Sequence, residues 1–153
     1  MDLAEELREG ARRDLTAESI VRFGEVRLRV TGTSMFPCVW PGDVLTVHRR
    51  SASELQTGKI VLCYRKQAFV AHRLIGKDNN CLITRGDSLS YYDPPFRLEE
   101  VLGEVTTILR DGHPVALKRT WWHGIGSFMA RHSDIGTRAV LRLRRLSRLS
   151  WAG

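Results

Sequence analysis

Cysteine is scarce in this chain of 153 residues, which contains only Cys38, Cys63 and Cys81. The three are widely spaced, odd in number and form no Cys-x-x-Cys pair, which argues against a disulfide framework and a structural zinc site. Reduced thiols are typical of the cytoplasm, so we expect a cytoplasmic protein. We expect no metal or other cofactor, because the remaining histidines show no ligand spacing and are interpreted as structural or exposed: His48, His113, His123 and His132.

Long hydrophobic runs are also missing. No window approaches the ~18 consecutive apolar residues of a transmembrane helix. The longest candidate, "TWWHGIGSFMA" at 120–130, is short and contains a histidine and two glycines. The first residues, "MDLAEELREGARRDL", are charged throughout, unlike a secretory signal. We therefore expect neither a membrane anchor nor a leader.

The positive charge is concentrated in one part of the chain. The net charge is +7, and residues 118–153 carry eight basic residues against Asp134 alone, which leaves residues 1–117 close to neutral. Within this tail, residues 137–150 predict a short basic amphipathic helix. Three interpretations stay open for it: contact with an anionic membrane surface, binding of nucleic acid, or packing as an ordinary terminal helix. No aromatic-basic platform or helix-turn-helix pattern is present, so specific nucleic-acid binding is not expected.

Residues 25–118 read as short strands separated by Gly and Pro. "EVRLRV" alternates, with Val26, Leu28 and Val30 on one face, as in a half-buried strand. Further strands are predicted at 44–49, 60–64, 69–75, 81–84 and 103–109, with 113–118 as a possible edge strand. The pattern predicts a mainly β, compact, coiled β-sheet body.

The segment before this body favours helix. Leu3, Leu7 and Ala11 recur at helical spacing, which predicts a helix over 2–14, and a second short helix or turn is predicted over 17–23, capped by Thr16. The predicted organisation is a helical segment 1–24, a β domain 25–118 and a basic helical tail 119–153.

One stretch of the β body, "TGTSMFPCVWPGD" at 31–43, holds Ser34 in a corner with little conformational freedom. A serine hydroxyl needs an adjacent base to act as a nucleophile, and His72 in "VAHRLI" is the candidate. A carboxylate that orients the imidazole could come from Asp87 or Asp93 in "RGDSLSYYDPPF". Spacing alone leaves the alternatives open that His72 is a hydrogen-bonded core residue and Asp87 a turn residue.

Five blocks in this order resemble the type I signal peptidases and their superfamily, which includes the LexA-like self-cleaving proteases. They are "GTSMFPCVWPGDVLTV", "TGKIVLCYR", "VAHRLIG", "LITRGDSLSYYD" and "VLGEVTTI", and they span about residues 26–109. The resemblance implies a coiled β fold and a serine endopeptidase that cleaves an extended peptide or a precursor protein through an acyl-enzyme.

The resemblance also assigns roles to particular residues. Ser34 matches the nucleophile of the Ser-Met motif, and "AHRLI" is similar to the archaeal and endoplasmic-reticulum branch, in which a histidine is the base; this implies His72. The orienting carboxylate of that branch lies six residues beyond the Gly-Asp aspartate, which implies Asp93, with Asp87 as runner-up in a supporting role. Gly32 departs from the pattern, because many signal peptidases carry there a serine that helps to hold the oxyanion; backbone N–H groups, chiefly that of Ser34, would serve instead.

Two further expectations concern the substrate and the alternatives. Met35 and Phe36 are expected to offer apolar surface beside the scissile bond, with plain core packing as the alternative. A non-catalytic peptide-binding or regulatory relative is the alternative function. A LexA-like repressor fragment is less favoured, because about 24 residues before the β body are too few for a DNA-binding domain. We expect peptide substrates as partners and, through the basic tail, peripheral membrane contact.

Overall fold

The computed structural model describes residues 3–66, 68–78 and 80–117 and is mainly β, as predicted. Its elements, in chain order, are α1 Leu3–Phe23, β1 Glu25–Arg29, β2 Val44–His48, β3 Ile60–Arg65, β4 Ala68–Asp78, β5 Cys81–Arg85, β6 Phe96–Arg97, a 3-10 turn Leu98–Glu100, β7 Val101–Arg110 and β8 His113–Val115. The predicted basic helix at 137–150 lies outside the described residues.

The predicted pair of short helices is wrong, because α1 is one continuous helix of 21 residues. No Gly or Pro separates the two predicted segments, and Thr16 lies within the helix rather than at a cap. The helix ends at Gly24, whose φ of 78° favours glycine and whose N–H donates to the Ile20 carbonyl at 2.9 Å. Ile20 is fully buried and fixes the helix to the sheet. No helix in the described ranges is both long and apolar enough to cross a membrane.

The strands form one antiparallel sheet in the order β1-β2-β7-β3-β4-β5-β6, with β8 paired to β7. The predicted β3–β4 hairpin is confirmed, with Arg65 opposite Ala68. Register shifts interrupt the pairing of β2 with β7 and of β3 with β7. Such bulges increase the local right-handed twist of the strands that carry them.

Strand β3 is buried on both sides because the sheet has a core on each face. Ile60 and Leu62 belong to the first core, whereas Val61 and Cys63 belong to the second. The first core is centred on Ile20, Met35, Val39, Leu45, Val47, Val105 and Ile108. The second is formed by Leu55, Val61, Cys63, Leu74, Leu82 and Phe96. Residues of β4 face the same side of the sheet as the β3 residues with which they pair. The alternation on β3 therefore also shows on which side of the sheet each polar residue of β4 lies.

Strand β6 and the 3-10 turn were not predicted from the sequence. The two prolines of "DPPFRLEE" suggest a loop, but Phe96 is only 3% exposed and lies opposite Leu82 on β5. Burial of the Phe96 ring therefore stabilises a short edge strand, although the residues around Phe96 do not favour a strand.

Candidate active site

The corner between β1 and β2 holds Ser34 through a set of short-range hydrogen bonds. The Phe36 N–H donates to the Thr33 carbonyl at 3.0 Å, and the Val39 N–H donates to the Met35 carbonyl at 2.9 Å. At the end of the corner, Asp43 is 1% exposed; it accepts the Trp40 N–H at 2.8 Å and the Arg110 guanidinium at 2.8 Å. Arg110 thus fixes the corner to β7, and the corner holds Ser34 in a defined position.

The structure brings Ser34, His72 and Asp93 together. The Oγ of Ser34 lies 2.8 Å from Nε2 of His72, and Nδ1 of the same ring lies 2.6 Å from Oδ2 of Asp93. The three residues come from different segments: the corner, the middle of β4 and the stretch between β5 and β6. The His72 and Asp93 side chains are 10% and 12% exposed, so the array is shielded but reachable through partly buried Ser34.

The direction of each hydrogen bond follows from the chemistry of the groups. An ionised carboxylate can only accept, so Nδ1 of His72 must carry the proton that Asp93 receives. In the neutral ring Nε2 is then an acceptor, and the hydroxyl of Ser34 donates to it. This tautomer is the one that a serine nucleophile requires of its base.

Thr84 is a further member of the site that sequence reasoning missed. Its hydroxyl donates to Oδ2 of Asp93 at 2.6 Å, and its carbonyl accepts the Asp93 N–H at 2.9 Å. The side chain is fully buried on β5. The signal was present in the strand pattern, because alternation places Thr84 on the same inward face as Leu82.

Replacing Thr84 by valine is expected to lower the rate at which Ser34 reacts as a nucleophile about 10- to 100-fold. A hydrogen bond to a charged group contributes about 1.5–3 kcal/mol, and each 1.4 kcal/mol corresponds to about tenfold in rate. The rate of covalent labelling of Ser34 in Thr84→Val and in Thr84→Ser measures the effect. The serine variant keeps the hydroxyl and should keep most of the rate; an unchanged rate in Thr84→Val, with a loss only in Thr84→Ser, would show that packing, not the hydrogen bond, is what Thr84 supplies.

Asp87, the runner-up carboxylate, binds Arg73 instead of His72. Its two oxygens accept from Nε and Nη2 of Arg73 at 2.9 and 2.6 Å, and Nη1 of Arg73 donates to the Gly58 carbonyl at 2.8 Å. Arg73 is 6% exposed and follows His72 on β4, so it faces the opposite side of the sheet. Asp87 therefore has a structural, supporting position.

The turn that contains Asp87 also fixes the backbone of the nucleophile residue. The carbonyl of Ser34 accepts from both the N–H and the hydroxyl of Ser88, each at 2.9 Å. Gly86 approaches so closely that a Cβ there would lie 2.5 Å from the same carbonyl oxygen. Only glycine fits at position 86, and together these contacts hold the Ser34–Met35 peptide in one orientation.

That orientation leaves a backbone donor beside the nucleophile. Within the ranges that the structure describes, the Ser34 N–H donates to no protein acceptor. Gly32 is exposed, and a Cβ placed on it would meet nothing within 4 Å. The arrangement fits the expectation that a backbone N–H, without help from a side chain at position 32, would bind an oxyanion.

The expectation that Met35 and Phe36 offer apolar surface beside the site is not supported. The two residues are only 4% and 6% exposed. Met35 lies in the first core, and the ring of Phe36 lies 5.0 Å from that of Trp40. Their burial favours the alternative, core packing that supports the corner.

Two cysteines near the array are poor nucleophiles. Burial raises the pKa of the Cys38 thiol, against the opposing effect of Arg73. Burial, followed by the nearby Glu100 and Asp93 carboxylates, raises the pKa of Cys63 to about 12. Because the thiolate is the reactive form, the serine hydroxyl is the better candidate.

Other histidines in the described part of the chain lie apart from this chemistry. His48 contacts Thr106 at 2.7 Å and Glu25 at 3.0 Å, and His113 is exposed, so both are structural or surface residues as predicted. No cluster of potential metal ligands occurs among the residues that the structure covers. The predictions for His123, His132 and the basic tail 119–153 concern residues outside that part of the chain.

No protein-family model matches the chain, and no curated protein is significantly similar to it. Interpretation of the site therefore depends on its own geometry and on the motifs in the sequence.

Proposed function

We propose that the chain is a serine endopeptidase of the signal peptidase and LexA-like type, with Ser34 as nucleophile, His72 as general base and Asp93 as orienting carboxylate. The observation that carries the proposal is the continuous hydrogen-bonded array from Ser34 Oγ through both ring nitrogens of His72 to Asp93. An antiparallel sheet with the serine in a corner after its first strand is consistent with that type of fold.

The reaction follows from the array. His72 Nε2 takes the proton of Ser34 as Oγ forms a bond to the substrate carbonyl carbon, and the resulting oxyanion is bound by the Ser34 N–H. The imidazolium then gives its proton to the leaving amine as the C–N bond breaks, which leaves an acyl-Ser34 ester. A water molecule, deprotonated by His72, attacks the ester, and Ser34 regains its proton.

An extended peptide is the substrate that suits the surroundings of the array. Residues 73–78 of β4 pair with β5, whereas residues 68–72 pair with β3 alone. Leu74 directs both its N–H and its carbonyl to the β3 side, so by alternation Phe69 and Ala71 direct theirs to the open side. Among the described residues nothing pairs with these two there. A peptide added as a strand at this edge would run past His72, with hydrogen bonds supplied by the backbone.

Covalent labelling tests the proposal. An organophosphonate probe should form one adduct on the wild-type protein, located at Ser34 by peptide mass spectrometry, and Ser34→Ala should form none. Ser53→Ala is the matched control, since Ser53 is exposed and distant in sequence from the array, and it should label at the wild-type rate. Equal labelling of wild type and Ser34→Ala, or none of either, would instead favour a non-catalytic peptide-binding relative.

A further inference from the structure

We propose that Arg65, at the end of β3, is a positioning residue that holds Asp93 against His72 by fixing the Pro94-Pro95 segment. The inference rests on the proposed function of the array and adds to it a residue to which neither a motif nor the array itself points. Several contacts from the Arg65 guanidinium converge on the residues immediately after Asp93.

Arg65 contacts the segment through its backbone and through one ring. Nη1 donates to the Pro94 carbonyl at 3.3 Å, and Nη2 donates to the Pro95 carbonyl at 2.5 Å. The guanidinium carbon also lies 4.2 Å from the centre of the Phe96 ring, a cation–π contact. One side chain thus contacts all three residues that follow Asp93.

The prolines explain why an outside donor is needed. Pro94 and Pro95 have no N–H, so their carbonyls are their only backbone hydrogen-bonding groups. Fixed φ angles make a Pro-Pro unit stiff, and an extended unit of this kind advances about 3.1 Å per residue. If the end of the segment that contacts Arg65 moves, Asp93 therefore moves with it, because the stiff prolines between them do not bend.

Both ends of the segment lie over the same face of the sheet. In the β3–β4 register, Val61 is opposite His72 and Arg65 is opposite Ala68. Val61 and Arg65 are four residues apart on one strand, so they share a face and lie about 13 Å from each other. The chain from Asp93 to Phe96 lies over this face: the Asp93 carboxylate contacts His72 at one end, and the buried Phe96 ring lies against the Arg65 guanidinium at the other.

Glu100 fixes Arg65 in turn. Its carboxylate accepts from Nε and Nη2 of Arg65, and the Arg97 N–H donates to it at 2.7 Å. The two side chains are 25% and 20% exposed, and the hydrogen bond from Arg65 lowers the pKa of Glu100 to about 2. A paired, forked guanidinium has little freedom, which is what a positioning group requires.

The test replaces Arg65 by methionine, which keeps apolar contact with Phe96 and removes the donors. We expect kcat to fall about 10²-fold, the effect of a small misplacement in a catalytic array, with a smaller change in KM. Arg65→Lys should recover part of the rate. In an Asp93→Asn background, Arg65→Met should cause no further loss, because its effect passes through Asp93. Arg97→Met is the matched control: Arg97 lies on β6, two residues after the segment, but its side chain is 76% exposed, so this variant should keep the wild-type rate.

Additive losses in the double variant, or an unchanged kcat in Arg65→Met, would overturn the inference. If Arg65→Met does not fold, Glu100→Gln replaces it; loosening Arg65 in this way should give a smaller loss of the same, non-additive kind, and an unchanged or additive rate would again overturn the inference.

A second measurement separates this inference from the proposed function. The His72 Nδ1–H should give a far-downfield proton NMR signal without any substrate, and Arg65→Met should weaken or abolish it. A protein that forms no serine adduct but loses this signal in Arg65→Met would contradict the peptidase proposal and support the positioning role. Normal labelling of Ser34 together with an unchanged NMR signal in Arg65→Met would support the peptidase proposal and contradict the positioning role of Arg65.

Discussion

Replacing Ser34 or His72 by alanine is expected to reduce kcat for peptide hydrolysis by up to about 10⁶-fold, and the double variant should be no slower than either single one. The two side chains share one proton-transfer step across 2.8 Å, so the loss of either removes the whole step. Residual rate would come from binding at the open edge of β4 and from the Ser34 N–H, which the alanine variants keep.

Kinetics with a peptide substrate, carried out on both single variants and the double variant, check this expectation. Ser53→Ala and His113→Ala are the matched controls, since both residues are exposed. Losses that add up in the double variant would mean that Ser34 and His72 act independently, contrary to the proposed mechanism.

The change of Asp93 to asparagine should reduce kcat about 10⁴-fold, the size of effect produced by a wrong imidazole tautomer. The amide NH₂ can donate to Nδ1 of His72, which moves the ring proton to Nε2. That nitrogen then faces Ser34 Oγ as a donor and cannot accept the serine proton. Because the side chains have nearly the same shape, the packing around Thr84 should be preserved.

Asp87→Asn is the comparison that tests this assignment. It weakens the buried pair with Arg73 and should lower the thermal unfolding temperature more than Asp93→Asn does, because one partner of a buried ion pair is left without its charge. Its effect on kcat should be the smaller of the two. A larger loss of kcat in Asp87→Asn would make Asp87, not Asp93, the functional carboxylate.

The strands could be predicted because their patterns are local. Alternation in β1 and the apolar run of β3 identify two strands whose burial in the structure follows the same pattern. The division of α1 into two helices was wrong because Thr16 resembles a cap, although nothing in the sequence stops the helix there. Phe96 shows the opposite case, in which long-range burial outweighs a local preference for loop.

The site was predictable to the extent that motifs mark it. Ser34, His72 and Asp93 were named from their blocks, and the structure brings them into hydrogen-bonding distance. The contacts of Arg65 could not be predicted, because they join it to residues 29 and 30 positions away and no periodicity links them. For Met35 and Phe36 the sequence left apolar surface beside the site and core packing as alternatives, because an irregular corner has no repeat that shows the direction of a side chain; their burial favours packing.

The open space around Gly32 means that this residue could be replaced without disturbing the site around it. A side chain at position 32 would displace no neighbour, so a hydroxyl group could be introduced there without repacking the protein. Steric crowding therefore does not require glycine at this position. Under the proposed function, a single substitution at position 32 is expected to change the rate of turnover and to leave the fold as it is.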